Sequence, residues 1–255
     1  MLAKDLTQAL DPVAFAKKAL SFDPDPWQEQ ALRWSGKRLL LNCSRQSGKS
    51  TTAAVLALHK ALFYPDSLIL LVSPSLRQSG ELFRKVADFL KALEIQPRLL
   101  EDNRLSLTLT NKSRIVSLPG KEQTIRGFSG ANLIIEDEAA RVADELYYSV
   151  RPMLAVSGGR LILMSTPFGK RGHFFEEWTK GGPSWERIEI TALDCPRIDR
   201  DFLEEERAAL GDWWFKQEYL CEFVETVDQV FSYEQVYSAI TEDVEPLFIG
   251  GGEVG

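Results

Sequence analysis

Between a short apolar run and a segment with helical spacing lies the stretch Cys43-Ser44-Arg45-Gln46-Ser47-Gly48-Lys49-Ser50. It matches the phosphate-binding pattern G-x-x-x-x-G-K-[ST] except at the first position, where Cys43 replaces glycine. A strand-to-helix turn points backbone N–H groups and the positive helix end at a phosphate. We therefore expect Gly48 to allow a close backbone approach, Lys49 to contact phosphate oxygens and Ser50 to ligate Mg²⁺. The strand before the motif and the helix after it disfavour the alternative, a plain helix start.

The rest of the chain alternates apolar, strand-like runs with segments of helical spacing. Strands are predicted at 38–43, 67–73, 105–110, 113–118, 132–136, 160–165 and 184–191. Helices are predicted at about 49–63, 76–93, 199–210 and 212–223, with Gly211 separating the last two. Most of the strand runs are apolar almost throughout, as expected for strands covered on both faces. The pattern predicts an α/β fold of three layers around a mainly parallel sheet.

The apolar run at 132–136 leads into three consecutive acids, Glu136, Asp137 and Glu138. Where a phosphate loop of this kind serves an ATPase, the neighbouring strand delivers an Asp to Mg²⁺, and a following Glu activates the attacking water. We therefore assign Asp137 to the metal and Glu138 to the water. Adjacent carboxylates repel one another, so a cation should compensate them, and Mg²⁺–ATP would do so. A strand that simply ends in a polar turn is the alternative interpretation.

An arginine is expected near the site, because a cation placed on the developing charge accelerates γ-phosphate hydrolysis. Arg126 lies between glycines in the stretch Thr124-Ile125-Arg126-Gly127-Phe128-Ser129-Gly130 and is the first candidate. Arg141 and Arg45 compete with it. For any single arginine, a solvated surface charge is the ordinary interpretation.

Two further segments have weaker signals. Ser165, Thr166 and Pro167 follow a buried strand, where hydroxyl groups can sense a γ-phosphate, although an ordinary exit from a strand fits equally well. Trp27 and Gln28 precede the first strand and could stack on and hydrogen-bond adenine, although a Trp in a Pro-rich turn is more often a core residue. The expected nucleotide-binding set is Trp27, Gln28, Ser44, Arg45, Gln46, Ser47, Gly48, Lys49, Ser50 and Thr51.

Composition limits the class of protein. The 255 residues are 44% hydrophobic and 26% charged, which is ordinary globular usage. No apolar run approaches the roughly 20 residues of a membrane helix, and the N-terminus lacks the layout of a signal peptide, so a soluble intracellular protein is expected. The three cysteines fit neither a disulfide framework nor a zinc site.

The net charge of −7 is unevenly distributed. Residues 199–255 hold 15 acids and 3 bases, a sum of −12, whereas residues 1–198 hold 22 acids and 27 bases, a sum of +5. The first part of the chain therefore permits a polyanionic partner without requiring one.

Taken in chain order, five motifs resemble the ATPase domain of the large terminase subunit of tailed bacteriophages: Trp27-Gln28, the phosphate loop at 44–50, Thr-Ile-Arg-Gly at 124–127, the acids and alanines at 136–140, and Ser-Thr-Pro-Phe-Gly at 165–169. The resemblance covers about residues 20–230 and includes the acidic stretch from Trp213 to Tyr219, which is similar to the family's linker helix. It implies a P-loop NTPase fold of the ASCE or RecA-like kind with a small helical lid or linker. Five loose motifs in the right order make it specific.

The resemblance implies a motor that hydrolyses ATP with Mg²⁺ and moves double-stranded DNA into a procapsid. It assigns phosphate and Mg²⁺ binding to Lys49 and Ser50, and an additional phosphate-loop role to Arg45. Asp137 and Glu138 become the metal and catalytic pair. Arg126 becomes a finger proposed to act in trans, although one sequence leaves cis and trans open. The motif that couples hydrolysis to movement corresponds to Ser165, Thr166 and Pro167.

The implied partners are double-stranded DNA, a portal protein, a small terminase subunit and further copies in a ring of five, with a monomer in isolation as the other state. The implied location is the host cytoplasm, with transient attachment to the procapsid and no membrane. We expect an ATPase core at 1–197, an acidic helical lid or linker at 198–245, and the truncated start of a missing nuclease domain at 246–255. Nuclease activity is therefore not expected in this chain.

Two other functions stay open. The first is a superfamily-2-like helicase, because Asp137-Glu138-Ala139-Ala140 also resembles the Asp-Glu-Ala-x element of that class. About 60 residues after Pro196 are too few for the second RecA-like domain that such helicases need. The second alternative is a nucleotide-dependent assembly module that does not hydrolyse ATP, which would not need a glutamate that activates water.

Overall fold

The computed structural model describes residues 2–119, 125, 127–225, 235 and 238. The chain divides into two compact units, Met1–Val224 and Glu225–Gly255. All helices and strands given below belong to the first unit.

The first unit is built on one mixed sheet with the strand order β3-β4-β5-β2-β6-β7-β1-β8. From β5 to β8 all neighbouring strands are parallel, whereas β4 runs antiparallel to β3 and β5. The strands are β1 (Arg38–Cys43), β2 (Leu68–Ser73), β3 (Leu99–Asn103), β4 (Ser106–Leu109), β5 (Arg114–Pro119), β6 (Leu133–Asp137), β7 (Arg160–Ser165) and β8 (Trp185–Ile190).

Helices cover both faces of this sheet. They are α1 (Leu2–Leu10), α2 (Pro12–Ala19), α3 (Pro26–Leu32), α4 (Lys49–Phe63), α5 (Leu76–Ala92), α6 (Asp144–Val150), α7 (Gly172–Lys180) and α8 (Arg200–Tyr219). Leu82, Val86 and Leu90 form the buried stripe of α5. Within α8, Gly211 has the non-helical angles φ 76° and ψ 163°, so the predicted break is confirmed.

The hydrophobic core has one part on each face of the sheet. One part packs α4 and α5 against side chains such as Leu41, Ile69 and Ile135. The other packs α6 and α7 against the alternate side chains, among them Leu40 and Ile134. Burial on both faces explains why the central strands are apolar throughout, and it confirms the three-layer α/β fold with a mainly parallel sheet. In the part of the chain that the structure describes, no helix is long and apolar enough to cross a membrane.

Two expectations about the sheet were wrong or incomplete. The acidic strand β6 does not lie beside the phosphate-loop strand β1, because β7 lies between them. Strand β3 was not predicted, because most of its residues are exposed and carry no apolar pattern, and only pairing with β4 makes it a strand. The position of β7 matters for function, since it brings Ser165 and Thr166 between the phosphate loop and the acids.

Candidate active site

The candidate site lies where the carboxyl ends of β1, β7 and β6 meet at one edge of the sheet. The chain leaves β1, turns through the loop and enters α4 at Lys49. Gln46 and Gly48 have φ angles of 60° and 96°, in the left-handed region. A Cβ atom built at Gly48 would lie 2.7 Å from Nε2 of Gln28, so both the backbone angle and the crowding favour glycine there. At the start of α4, as at any helix N-terminus, the first backbone amides have no partner four residues earlier, and Lys49 and Ser50, which carry two of them, line a groove.

The loop is tied to two neighbouring elements. The backbone N–H of Ser44 donates to the carbonyl of Ile190 at the end of β8, at 2.9 Å. The backbone N–H of Arg45 donates to the carbonyl of Glu218 on α8, at 3.1 Å. Helix α8 therefore contacts the phosphate loop directly.

Arg197 supports the loop from its outer side, and sequence reasoning missed it. Its Nη2 donates to the carbonyl of Ser47 at 2.8 Å, and its Nη1 lies 2.6 Å from Oδ2 of Asp25. The same Nη2 would lie 3.2 Å from a Cβ atom at Gly48. No local motif surrounds this arginine, and only the fold brings residues 150 positions apart into contact.

Lys49 is buried, and its Nζ lies 3.1 Å from Oε1 of Glu138. Burial by itself would lower the pKa of Lys49, but the negative charges of Glu138 and Asp137 outweigh this effect, so the pKa is raised. The lysine therefore stays protonated in the site, as a phosphate-binding cation must.

Asp137 lies beside Ser50 at the start of α4, and the two side chains are hydrogen-bonded. Burial raises the pKa of Asp137 to about 6, the charge of Glu138 adds to the rise, and Lys49 opposes it. A carboxylate and a hydroxyl group are hard oxygen ligands of the kind Mg²⁺ prefers. The structure therefore brings together the two residues assigned to the metal.

Glu138 follows β6 in a left-handed conformation, with φ 57° and ψ 40°. This conformation is uncommon for a residue other than glycine and is typical of functional positions. Its Oε2 lies 3.1 Å from Nη1 of Arg141, which also donates to Oγ1 of Thr166 at 3.2 Å. The Arg141 guanidinium lies over the ring of Phe168, 4.6 Å from its centroid. One arginine thus connects the predicted catalytic acid to the segment after β7.

Glu218 connects two arginines of the site. Its Oε2 accepts from Nε of Arg45 at 2.5 Å, and its Oε1 accepts from Nη2 of Arg141 at 3.3 Å. The hydrogen bond to Glu218 raises the pKa of Arg45. Neither role of Glu218 could be predicted from the sequence, because a glutamate in an acidic helix has no distinguishing pattern.

Residues of the phosphate loop, of α4 and α5 and of the segment after β6 surround a groove of about 460 Å³. Its lining includes two residues of α5 that the sequence did not indicate, Gln78 and Lys85, and Nζ of Lys85 donates to Oγ1 of Thr51 at 3.3 Å. The lining residues are Arg45, Gln46, Ser47, Gly48, Lys49, Ser50, Thr51, Gln78, Lys85, Glu138 and Arg141.

Trp27 and Gln28 lie in helix α3, not in a turn. Trp27 packs in the hydrophobic core, so burial corrects its assignment as a ring stacked on adenine. Gln28 accepts the backbone N–H of Asp25 through Oε1 at 2.8 Å, and its Nε2 is buried beside Gly48 without a partner among the described residues. Gln28 therefore places its side-chain amide N–H donors beside the phosphate loop.

Four predicted residues remain: Ser165, Thr166 and Pro167 after β7, and Arg126. Ser165 is buried, and its hydroxyl group has no hydrogen-bond partner among the described residues, while Thr166 contacts Arg141 and Pro167 is buried after the strand. Arg126 lies outside the described residues, so its role stays a prediction. Arg141, named only as a competitor, is the arginine that the structure places at Glu138.

The chain's own side chains supply cations beside the three consecutive acids, as the repulsion among them predicts, and the part assigned to Mg²⁺–ATP stays a prediction. Glu136 accepts from Nε2 of His173 at 2.7 Å on the opposite face of the sheet. Asp137 and Glu138 lie beside Lys49, and Glu138 also pairs with Arg141.

A strand-loop-helix turn with Gly-Lys-Ser at the carboxyl edge of a parallel sheet defines the class: the chain has a P-loop NTPase fold. It belongs to the family described as "Terminase large subunit, T4likevirus-type, N-terminal", whose model matches residues 40–237.

Individual relatives agree with this assignment. The terminase large subunit of Thermus phage G20c is 29% identical over 248 residues, which cover 84% of this chain and 51% of the relative. A variant of the large terminase ATPase domain of Thermus phage P74-26 matches with a TM-score of 0.72 and 25% identity, over 80% of this chain and 96% of that domain. The large terminase of another thermophilic bacteriophage, solved in complex with ADP, matches in fold, with a TM-score of 0.62 and 14% identity over 85% of this chain and 53% of that one. The chain spans about half the length of the curated relatives it matches.

Proposed function

We propose that the chain is an ATPase, and that it works as the ATP-hydrolysing motor domain of a terminase that packages viral DNA. The observation that carries the ATPase proposal is the contact of Lys49 with Glu138 beside Asp137 and Ser50 at the phosphate loop. A protein that only binds nucleotide needs the lysine but has no use for a carboxylate placed to activate water. The family and the ATPase-domain structures that it resembles support the same conclusion.

The residues present fit Mg²⁺ and a nucleoside triphosphate. Gly48 allows the left-handed turn into α4 where a Cβ atom would crowd Gln28, and the start of α4 supplies backbone donors. Ser50 and Asp137 would hold the Mg²⁺, which when bound neutralises charge on the phosphates. The bacteriophage terminase solved with ADP supports the same ligand class here.

Each side chain has a task in hydrolysis. Lys49 holds phosphate oxygens, because its raised pKa keeps it charged. Glu138 orients the attacking water and takes its proton at a carboxylate oxygen. Its left-handed backbone directs the carboxylate into the groove, where Lys49 and Arg141 fix its position.

The larger assembly is proposed from the family. We propose double-stranded DNA as the transported polymer, and a portal protein, a small terminase subunit and a ring of copies as partners, in the host cytoplasm during assembly. Movement would be coupled to hydrolysis through Ser165, Thr166 and Pro167, since Thr166 contacts Arg141 in the groove. The division into a core at 1–197 and a lid or linker at 198–245 stays a prediction, and the segment 246–255 lies outside the described residues.

Phosphate release from ATP tests the proposal, with Lys49→Ala as the inactivating variant and Lys60→Ala as its control on the same helix. Lys60 contacts the ring of Tyr64 rather than the groove. We expect turnover in the wild type and in Lys60→Ala, and none above background in Lys49→Ala. Equal turnover in Lys49→Ala would overturn the site assignment.

The same preparation separates the alternatives. ATP binding without turnover, even with DNA and assembled partners, would favour the assembly module, and strand separation by the chain would favour a helicase.

If Arg126 acts in trans, a mixture of Arg126→Ala and Glu138→Gln subunits should regain part of the turnover that each variant lacks alone. No rescue under conditions where wild-type subunits assemble would count against the trans role.

A further inference from the structure

A second cavity, of about 350 Å³, lies at the edge of the sheet opposite to the groove. Leu133 and Arg160, the first residues of β6 and β7, line this cavity, whereas β6 ends at Asp137 in the candidate active site. Lys60 of α4 also lines it, and Lys49 begins the same helix about 16 Å away along the axis, at a rise of 1.5 Å per residue. The cavity and the groove are therefore separate sites.

Apolar side chains form part of the cavity lining. Leu32, Leu56, Leu133 and Ile162 line it, and each is buried. His59 is also buried there, and burial lowers its pKa, so its ring adds no charge at neutral pH. Cavities of roughly 300–1,000 Å³ with a mainly apolar lining hold small organic molecules. This lining would bind the apolar part of such a molecule.

Two cations at the cavity, Lys60 and Arg160, have no carboxylate partner among the described residues. Nζ of Lys60 lies over the ring of Tyr64, 3.8 Å from its centroid, and the Arg160 guanidinium lies over the ring of Trp34 at 5.2 Å. Nη1 and Nη2 of Arg160 donate to the backbone carbonyls of Trp34 and Ser35, at 3.2 and 3.0 Å. An aromatic ring or a carbonyl orients a cation but carries no net charge to neutralise it.

The positive charges at the cavity also repel one another. Burial lowers the pKa of Lys60, and the charges of Arg160 and Lys37 lower it further. Among the described lining residues only Asp11 is acidic, and its two oxygens accept from Arg33 at 3.3 and 3.2 Å. An anion bound beside Lys60 and Arg160 would therefore compensate positive charge that the described part of the chain leaves unpaired.

We propose that this cavity binds a small amphipathic anion, whose apolar body contacts Leu32, Leu56 and Ile162 and whose carboxylate, sulfonate or phosphate group contacts Lys60 and Arg160. Charge complementarity selects this class of ligand. A neutral apolar molecule would leave both cations without a counter-ion, and an inorganic anion would leave the apolar lining without a contact. The site does not depend on the proposed nucleotide site, so either can fail without the other.

Fluorescence titration of the full chain with anilinonaphthalene sulfonate tests the proposal. Phenylnaphthylamine has the same rings without the sulfonate and is the neutral comparison. We expect saturable one-to-one binding of the sulfonate, with the same affinity when ATP-γ-S and Mg²⁺ are present. Displacement of the sulfonate by ATP-γ-S would place it in the groove and overturn the proposal, and so would the absence of saturable binding.

Two variants remove one charge each and keep an apolar stem, Lys60→Met and Arg160→Met. Each should weaken binding of the sulfonate about tenfold, because a hydrogen bond to a charged group is worth about that factor, and should leave the affinity for phenylnaphthylamine unchanged. The control is Lys18→Met, an exposed lysine of α2 that does not line the cavity and should change neither affinity. Unchanged sulfonate binding in both variants, or equal losses for the two compounds, would overturn the proposal.

Leu10 allows a test that does not disturb the fold, in case a methionine variant fails to fold. It lines the cavity, yet 75% of it is exposed, so a charged side chain is tolerated there. Leu10→Glu should weaken the sulfonate about twofold and Leu10→Lys should strengthen it by a similar factor, as expected for an exposed charge pair. Ile95→Glu, at a position that is 85% exposed and outside the cavity, is the control. Equal affinities in the two Leu10 variants, or a matching loss in Ile95→Glu, would contradict the site.

Competition distinguishes a small ligand from a macromolecule with the same anionic groups. A short DNA duplex and an acidic peptide are each added to the protein with bound sulfonate, and inorganic phosphate at equal charge serves as the control for ionic strength. We expect neither to displace the sulfonate more than phosphate does, because their charged surfaces have no contact to make with the buried apolar lining. Stronger displacement by the duplex or by the peptide would assign this face to a macromolecular partner and overturn the proposal.

Discussion

Glu136 and Glu138 stand two positions apart at the end of β6, and their surroundings differ in nearly every respect. Glu136 is fully buried and accepts from Nε2 of His173 at 2.7 Å, while Nδ1 of the same ring lies 3.0 Å from Oδ1 of Asp144. Tyr147 stacks on the imidazole, with a centroid distance of 4.5 Å and an interplanar angle of 6°. Glu138 leaves the strand with a positive φ and faces the groove.

The difference lies in what each carboxylate is free to do. The pair of Glu136 and His173 is enclosed by the apolar core that covers its face of the sheet. Its carboxylate therefore interacts with residues of the fold and does not face the groove. The partners of Glu138, Lys49 and Arg141, line a groove that is open to a ligand. Burial makes the first network a candidate for stability, and access makes the second a candidate for catalysis. The predictions below test this division.

The largest expected effect is on turnover. Glu138→Gln removes the proposed proton acceptor, and we expect kcat for ATP to fall about 10²–10⁴-fold with ATP binding retained. Steady-state phosphate release and calorimetry measure the two quantities. The matched change at the other glutamate, Glu136→Gln, should retain most of the turnover of the folded protein, since its carboxylate does not reach the groove.

Comparable losses of kcat in both variants, measured at equal folded fraction, would contradict this division of roles between the two glutamates. They would mean that the His173 network acts on the chemistry and not only on the fold.

The second effect is on stability. His173→Leu leaves the Glu136 carboxylate buried without its partner, and breaking a buried pair costs about 3 kcal/mol. We expect the free energy of unfolding at pH 6 to fall by about that amount in urea titrations. His59→Leu is the control, because His59 is also buried but contacts a backbone carbonyl, that of Gln8, instead of a carboxylate. A loss in His59→Leu as large as that in His173→Leu would assign the effect to burial alone.

The contrast also shows how far the sequence predicts this molecule. Two local patterns predict residues of the candidate site. One is the Gly-Lys-Ser motif after a short apolar strand, which includes Gly48 and Lys49, and the other is the run of acids at the end of another apolar strand, which includes Asp137 and Glu138. The hydrophobic periodicity of the central strands likewise predicts the parallel sheet.

What could not be predicted depends on contacts between distant parts of the chain. His173 and Glu136 are 37 positions apart and Arg45 and Glu218 are 173 apart, so no local pattern joins them. The position of β7 between β1 and β6 is likewise set by the order of strands, which spacing does not encode. Trp27 was assigned to adenine because composition alone cannot distinguish a buried ring from an exposed one.

The third prediction concerns pH. Burial lowers the pKa of His173, but Glu136 and Asp144 outweigh this effect and raise it above the ordinary value of 6.5. The folded state therefore binds the proton more tightly than the unfolded state. The stabilisation is complete below pH 6.5 and is lost as the pH rises through the folded pKa. The difference in unfolding free energy between the wild type and His173→Leu should shrink steadily above about pH 6.5, and a difference that grows with pH would contradict the assignment.

The smallest effect is expected at Asp137, which lies between the two glutamates in sequence. Its buried charge lowers the stability of the fold, whereas the Glu136–His173 pair raises it. Burial raises its pKa from 3.8 to about 6, so the folded state again binds the proton more tightly than the unfolded state. For this acid, the stability present below pH 3.8 is lost as the pH rises through about 6. Asp137→Asn keeps the acceptor for the backbone N–H of Glu138 and avoids the buried charge.

Near pH 7.5, in the absence of divalent cations and nucleotide, we therefore expect Asp137→Asn to be slightly more stable than the wild type, by roughly 1 kcal/mol or about 3 °C in Tm. The gain should disappear near pH 4, where the wild-type carboxyl is protonated. Differential scanning calorimetry at both pH values measures this, with Asp144→Asn, whose carboxylate is about half exposed, as the control that should not gain stability.

A fold does not retain a carboxylate that lowers its own stability unless that carboxylate has a use, and the proposed use is Mg²⁺. Adding Mg²⁺ with ATP should accordingly raise the Tm of the wild type above that of Asp137→Asn, and an equal rise in both would remove Asp137 from the metal site.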